Sequence, residues 1–95
     1  MNTKEIMECA DEHLVHVYNI VLDHGDGVYL YDKDGKDYLD FGAGIAVYAF
    51  GYNNKEFNDA LKAQIDKLIH TSNLFYNEPA AEAAKALTEV TGMDK

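Results

Sequence analysis

The sequence predicts an α+β chain: an N-terminal helix, a small three-stranded antiparallel sheet, then two helices. Three observations carry this expectation. Residues 17–41 hold three short runs of β-branched and aromatic residues, parted by Gly/Asp turn signals. Residues 54–70 and 78–92 place apolar side chains at helical spacing. Between sheet and helices, residues 42–53 are apolar and Gly-rich, with neither periodicity. A chain of 95 residues allows one small domain, and a 47% apolar content argues against disorder.

The first helix is assigned to residues 1–16. Ile6, Met7, Ala10 and Leu14 form its apolar stripe, Thr3 is a possible N-cap, and Glu5, Glu8, Asp11 and Glu12 fill the other face. That stripe needs a partner to cover it. The sheet follows at 17–41. Ile20-Val21-Leu22 is the first strand, ended by a turn over Asp23-His24-Gly25-Asp26-Gly27. Val28-Tyr29-Leu30-Tyr31 is the second, and Asp37-Tyr38-Leu39-Asp40-Phe41 the third. Asp34-Gly35 is a hairpin signal between the last two. On the third strand Tyr38 and Asp40 alternate with Leu39 and Phe41.

The 42–53 stretch is expected to be an apolar loop. After it, Asn53 with Glu56 three residues on resembles a capping box for a helix over 54–70. Phe57, Ala60, Leu61, Ile65, Leu68 and Ile69 form one face of that helix. Residues 71–77 make a second uncharged connection. A last helix spans 78–92, with Asn77 as N-cap, Pro79 in the first turn and Gly92 at the C-terminal end. Its face is mostly Ala, which suits close packing.

The charge balance narrows the functions. Eight basic residues, all Lys, face 17 acidic ones, for a net charge of −9. No clustered basic face exists to neutralise phosphates, so nucleic acid is not an expected partner. An anionic membrane surface is equally unsuited, and no apolar run approaches the ~20 residues of a membrane span. Without Arg, the chain has no bidentate grip on a carboxylate or phosphate. A single cysteine, Cys9, and an N-terminus without an apolar leader make the cytoplasm the expected compartment.

Several candidate sites dissolve on inspection. Asp32-x-Asp34-Gly35-x-Asp37 lacks the glycine and glutamate positions of a calcium loop and reads as a solvated turn. No C-x-x-C exists and the four histidines are scattered, so no metal site is expected. Gly25-x-Gly27 and Gly42-x-Gly44 do not run into helix N-termini, as a phosphate cradle would require. His13, His16, His24 and His70 have no nucleophile placed beside them by sequence, and Cys9 sits among acids that disfavour its thiolate. The two uncharged connections remain. They either cover the sheet edge and pack the helices, or build a pocket wall from Ile45, Val47, Tyr48 and Tyr76; the residues alone leave both open.

Two separated motifs in order carry a family resemblance over about residues 14–95. They are Gly27-Val28-Tyr29-Leu30-Tyr31-Asp32 through Tyr38-Leu39-Asp40-Phe41-x-Ala43-Gly44-Ile45-Ala46-Val47, and His70-x-Ser72-Asn73-Leu74-Phe75-Tyr76-Asn77-Glu78-Pro79. Together they resemble the N-terminal region of the class III aminotransferases, fold-type-I enzymes that use pyridoxal 5′-phosphate. Within that family they are most similar to the acetylornithine branch. At Gly51-Tyr52-Asn53-Asn54-Lys55 the chain departs from the usual Gly-His-x-His-Pro, where Asn53 or Asn54 can cap the helix in place of Pro.

The resemblance implies transfer of the δ-amino group of N-acetylornithine to 2-oxoglutarate, in arginine biosynthesis, by a homodimer. It implies substrate-binding positions at Gly44, Ile45, Ala46, Val47 and Tyr76, with Ile45 facing the substrate. It implies dimer-interface positions at Ser72, Asn73, Leu74, Phe75 and Asn77. The family's cofactor-bearing lysine, phosphate loop and carboxylate-binding arginine match nothing here. No catalytic or cofactor-binding residue is therefore assigned in this chain. It is expected to be a segment without the cofactor domain, inactive alone. Ornithine, 4-aminobutyrate and diaminopelargonate enzymes are the alternatives within the family; the last and the ornithine enzymes tend to carry an aromatic at the Ile45 position. The alternative of another class is a free-standing acidic interaction module, whose apolar loops would bind a partner.

Overall fold

A computed structural model describes residues 1–15 and 18–95. His16 and Val17, and with them the expected end of the first helix and start of the sheet, lie outside the described residues. The elements are α1 (Thr3–His13), β1 (Leu22–Asp26), β2 (Tyr29–Asp32), β3 (Asp37–Leu39), α2 (Ala43–Ala46), α3 (Lys55–Lys67) and α4 (Glu78–Thr91). They fall into two units, Met1–Ala60 and Leu61–Lys95, with α3 passing from one to the other.

In the first unit, α1 is shorter than the expected 1–16, and its cap lies one residue earlier than its sequence predicts. Asn2, not Thr3, is the N-cap: its side-chain oxygen accepts from the Glu5 amide at 2.9 Å, and Glu5 accepts from the Asn2 amide at 3.0 Å. The Thr3 hydroxyl is thereby free to donate to Asp34 at 3.0 Å, tying the helix to the second hairpin. α1 ends at His13 because Leu14 turns extended. Ile6, Met7 and Ala10 line a hollow of about 140 Å³ with Tyr18, Ile20 and Val21. The stripe's partner is thus the segment expected to be the first strand.

That strand is displaced. β1 runs over Leu22–Asp26, so most of the expected turn is strand and Ile20-Val21 are not. The cause is the turn itself. Asp26 pairs with Tyr29, leaving only Gly27-Val28 to reverse the chain, with Gly27 at φ +58°. Pairing from that point pulls polar residues 23–26 onto β2, with a bulge between Leu22 and His24. The His24 and Tyr31 rings stack across the pair at 4.7 Å. β3 adds antiparallel to β2, giving the order β1-β2-β3. The Asp34-Gly35 hairpin is where it is expected. There Asp32 accepts from the amides of Asp34 and Lys36 and from the Tyr38 hydroxyl, all at 2.9–3.0 Å.

β3 ends at Leu39 rather than Phe41, but the alternation expected over 38–41 is kept, with the polar members inside. Tyr38 and Asp40 are half-buried, whereas Leu39 and Phe41 are exposed. α3 begins after Asn54, whose side chain accepts from the Phe57 amide at 2.9 Å. Of the two asparagines expected to serve as cap, Asn53 takes φ +56° instead, a left-handed turn that Asn tolerates better than most residues. The helix ends at Lys67 rather than 70, where the Gln64 amide group caps the Leu68 carbonyl at 2.9 Å.

The second unit holds the end of α3, residues 68–77 and α4. α4 follows its sequence closely. Asn77 accepts from the Ala80 amide at 3.0 Å, Pro79 lies in the first turn, and Gly92 at φ +72° closes the helix onto Thr88. Among the described residues, no helix packs on another helix or on a strand of its own unit. None of the described residues is buried, and the α3 face of Phe57, Leu61 and Ile65 lies open. Covering one such side chain is worth about 1.5–3 kcal/mol, so little of the available apolar stabilisation is realised within these residues. No helix among them is long and apolar enough to cross a membrane.

Candidate functional site

The 42–52 stretch, expected to be a loop, contains one turn of left-handed helix. Ala43, Gly44, Ile45 and Ala46 have φ of +47°, +62°, +64° and +60°. The turn closes on itself: the Ala46 amide donates to the Gly42 carbonyl at 2.9 Å and the Val47 amide to the Ala43 carbonyl at 2.8 Å. Only Gly44 is suited to this conformation. At about 1–2 kcal/mol for each residue that carries a Cβ, the three others store about 3–6 kcal/mol. The β-branched Ile45 is the least suited of them.

Asp40 holds the turn at its entry. One carboxylate oxygen accepts from the amides of Gly42 at 2.9 Å and Ala43 at 3.0 Å; the other accepts from the Tyr52 hydroxyl at 2.5 Å. The Tyr52 hydroxyl, and after it the Ala43 amide, hold this carboxyl below the usual carboxylate range. The same hydrogen bond to Asp40 pushes the Tyr52 hydroxyl above its ordinary value.

Tyr52 is itself fixed. Its backbone exchanges two 2.8 Å hydrogen bonds with Gly27, and its ring stacks on Tyr48 at 4.7 Å. The ring lies so close over Gly25 that a Cβ there would come within 2.5 Å of it. A Cβ on Gly51 would meet the Gly27 carbonyl oxygen at 2.9 Å. The segment is therefore tied at both ends to the sheet.

The expected substrate-binding residues Gly44, Ile45, Ala46 and Val47 share this one turn. Ile45 stands at its crest, 95% exposed. Val47 leads into an apolar hollow of about 190 Å³ lined with Tyr48, Ala49, Phe50 and Phe57. The expected Tyr76 belongs to the second unit, where its side chain is bare. There Ser72 takes φ +60°, and Leu74 and Phe75 are exposed. Ser72, Asn73 and Asn77 border a hollow of about 450 Å³ with His70 and Thr71. The Asn77 side-chain oxygen is engaged as the α4 cap.

Asp40 and Tyr52 are the residues that sequence reasoning missed. Asp40 left a signal, an Asp two residues before a Gly, the pattern of an Asx turn. Its bond to Tyr52, 12 residues on, left none. Of the histidines, His24 accompanies Asp23 at 2.9 Å on the exposed sheet, and His13 lies near Glu12; neither approaches the turn. The donor set here does not fit pyridoxal phosphate. The charged group at the turn is an anion, Asp40, and all eight lysines are exposed, so no step through that cofactor is derived from these residues.

The sequence profile of the family described as Aminotransferase class-III matches residues 10–95. An acetylornithine aminotransferase from Archaeoglobus fulgidus is 42% identical over 92 residues, covering 94% of this chain and 24% of that protein. Among solved structures, the acetylornithine aminotransferase from Elizabethkingia anophelis superposes with a TM-score of 0.89 at 34% identity. That match covers 99% of this chain and 24% of that one. The taurine:2-oxoglutarate aminotransferase from Bifidobacterium kashiwanohense, solved in complex with PLP and glutamate, superposes with a TM-score of 0.85 at 26% identity over 95% of this chain and 22% of its own. The chain thus spans about a quarter of the length of the relatives it matches. With its profile match, its relatives and its backbone in agreement, the chain belongs to the class-III aminotransferase family.

Proposed function

We propose that this chain is the N-terminal segment of an acetylornithine aminotransferase, a cytoplasmic homodimer that moves the δ-amino group of N-acetylornithine to 2-oxoglutarate in arginine biosynthesis. The observation that carries this reading is the 42% identity to an enzyme of that name along 94% of the chain. In the full-length family, pyridoxal phosphate carries the amino group between donor and acceptor.

This chain's contribution is shape. Ile45, held outward on the left-handed turn, offers an aliphatic surface to the donor's methylenes, and Val47 extends it. The Tyr76 hydroxyl orients a polar end of the substrate. Ser72, Asn73, Leu74, Phe75 and Asn77 face the second subunit. Both unpaired surfaces, the turn and the 71–77 connection, are then covered in the assembled enzyme.

The test is a donor series on the full-length protein that carries this segment. Glutamate formation from 2-oxoglutarate is expected with N-acetylornithine, and far more slowly with ornithine or 4-aminobutyrate. Preference for ornithine or 4-aminobutyrate would move the chain to another branch of the family. The 95-residue chain mixed with pyridoxal phosphate is expected to show neither a bound-cofactor absorbance band nor turnover; either result would overturn its assignment as a part without chemistry of its own.

A further inference from the structure

We propose that Asp40 and Tyr52 are positioning residues for the amino donor: a clasp that holds the left-handed turn and so sets where Ile45 stands. Four residues in a row have positive φ, and three of them carry a Cβ. A backbone of that kind persists only where its surroundings over-determine it. The described contacts that do so converge on one carboxylate. Asp40 receives the first two amides of the turn with one oxygen and the Tyr52 hydroxyl with the other.

Tyr52 in turn is anchored three ways: to the Gly27 backbone, to the Tyr48 ring, and against the bare face of Gly25. The clasp therefore transmits the position of the β1–β2 hairpin to the turn. Neither Asp40 nor Tyr52 needs to touch substrate. Ile45, which makes no clasp contact, is the part presented. With the clasp open, the turn can revert to right-handed backbone, and the Ile45 side chain leaves its place.

The functional half of this proposal rests on the donor-site reading above, so the experiment has two arms on the full-length protein. The first is amide hydrogen exchange over residues 42–47. Asp40→Ala is expected to speed it about tenfold or more, the scale of losing hydrogen bonds to a charged acceptor. Asp40→Asn, which keeps an oxygen for both amides, is expected to restore most of the protection. Tyr52→Phe, which removes one hydroxyl and keeps the ring, is expected to give a smaller increase, and it decides the matter if Asp40→Ala does not fold. Unchanged exchange in the variants would overturn the clasp.

The second arm is steady-state kinetics. The KM for N-acetylornithine is expected to rise about tenfold in Asp40→Ala, again the loss of about one such hydrogen bond, with the KM for 2-oxoglutarate unmoved and the Asn variant close to wild type. Equal rises in both KM values, or a fall in kcat alone, would overturn the positioning role. An inactive wild-type protein would instead sink the donor-site reading, while the exchange arm still judges the clasp.

Discussion

α4 and the 42–52 segment are built by opposite means. α4 obeys local rules at every step: an Asn cap, a Pro in the first turn, a body of Ala and a Gly at the left-handed end. The turn at Ala43–Ala46 breaks the same rules, placing two alanines and an isoleucine where only glycine is at ease. What holds α4 lies within its own residues. What holds the turn arrives from Asp40 before it and from Tyr52 after it, backed by the sheet. The difference shows where local propensity suffices and where distant contacts override it. The overridden place is also the one proposed above to present Ile45 to the donor, in keeping with strain persisting where the surroundings over-determine a shape.

The sharpest way to break the comparison is to remove the turn's distant support. Gly25→Ala puts a methyl into the Tyr52 ring. It is expected to cost about 1–3 kcal/mol by overpacking, read as a lower midpoint in denaturant titration together with faster exchange at residues 42–47. Loss of stability without any change at 42–47 would show that the ring's seat does not reach the turn. The matching insult to α4 is local. Asn77→Ala removes the cap oxygen from the Ala80 amide and is expected to cost about 1 kcal/mol, with faster exchange confined to the first turn of that helix.

One substitution applied in both places sharpens the contrast further. Ala83→Gly, inside α4, is expected to destabilise by about 1 kcal/mol through the helix preference for Ala over Gly. Ala46→Gly, in the left-handed turn, is expected to stabilise by about 1 kcal/mol, because the Cβ penalty disappears. Paired thermal melts check the opposite signs; the same sign in both would mean the turn is not strained.

The smallest effect is a pH dependence that only the turn should show. The Asp40 carboxyl lies below its ordinary range when folded. Its contribution is therefore fully present above the unfolded value, about 4, and is lost as pH falls through the lower folded one. Exchange at residues 42–47 is expected to quicken across that acid window relative to α4. Asp40→Asn should flatten the difference; an Asn variant with the wild-type acid profile would assign the effect to another carboxylate.

Legibility follows the same division. α4, the Asp34-Gly35 hairpin, the helical face of α3 and the family motifs could be read from the sequence, since each is written in neighbouring residues. The first strand could not be placed, because its register is set by the two-residue turn at Gly27-Val28 and not by the apolar run Ile20-Val21-Leu22. Which of Asn53 and Asn54 caps α3 could not be read, because both are Asn and one is needed for a left-handed bend. The third strand stops at Leu39, two residues short of its sequence expectation, and just after it the inside and outside run against hydrophobicity, with Asp40 turned inward to serve the turn and Phe41 left bare. At the candidate site, Gly44 to Val47 could be picked out as a group, and their handedness could not. Three of the four turn residues are not glycine, and the Asp40–Tyr52 bond that compels them joins positions 12 apart in the chain.

That handedness bears on how such a site can change over generations. A left-handed turn is the natural habit of amino acids of the mirror chirality, which protein synthesis does not supply. Most side chains that could replace Ile45, those of glycine, asparagine and aspartate apart, meet a backbone penalty there, and an unbranched one strains the backbone less than isoleucine does. The clasp, and not the identity of residue 45, keeps the turn closed. On the donor-site reading proposed above, a single codon change at 45 recuts the crest for a longer, shorter or aromatic amine while its foundation stays in place, and selectivity becomes one of the easiest properties of this segment to evolve.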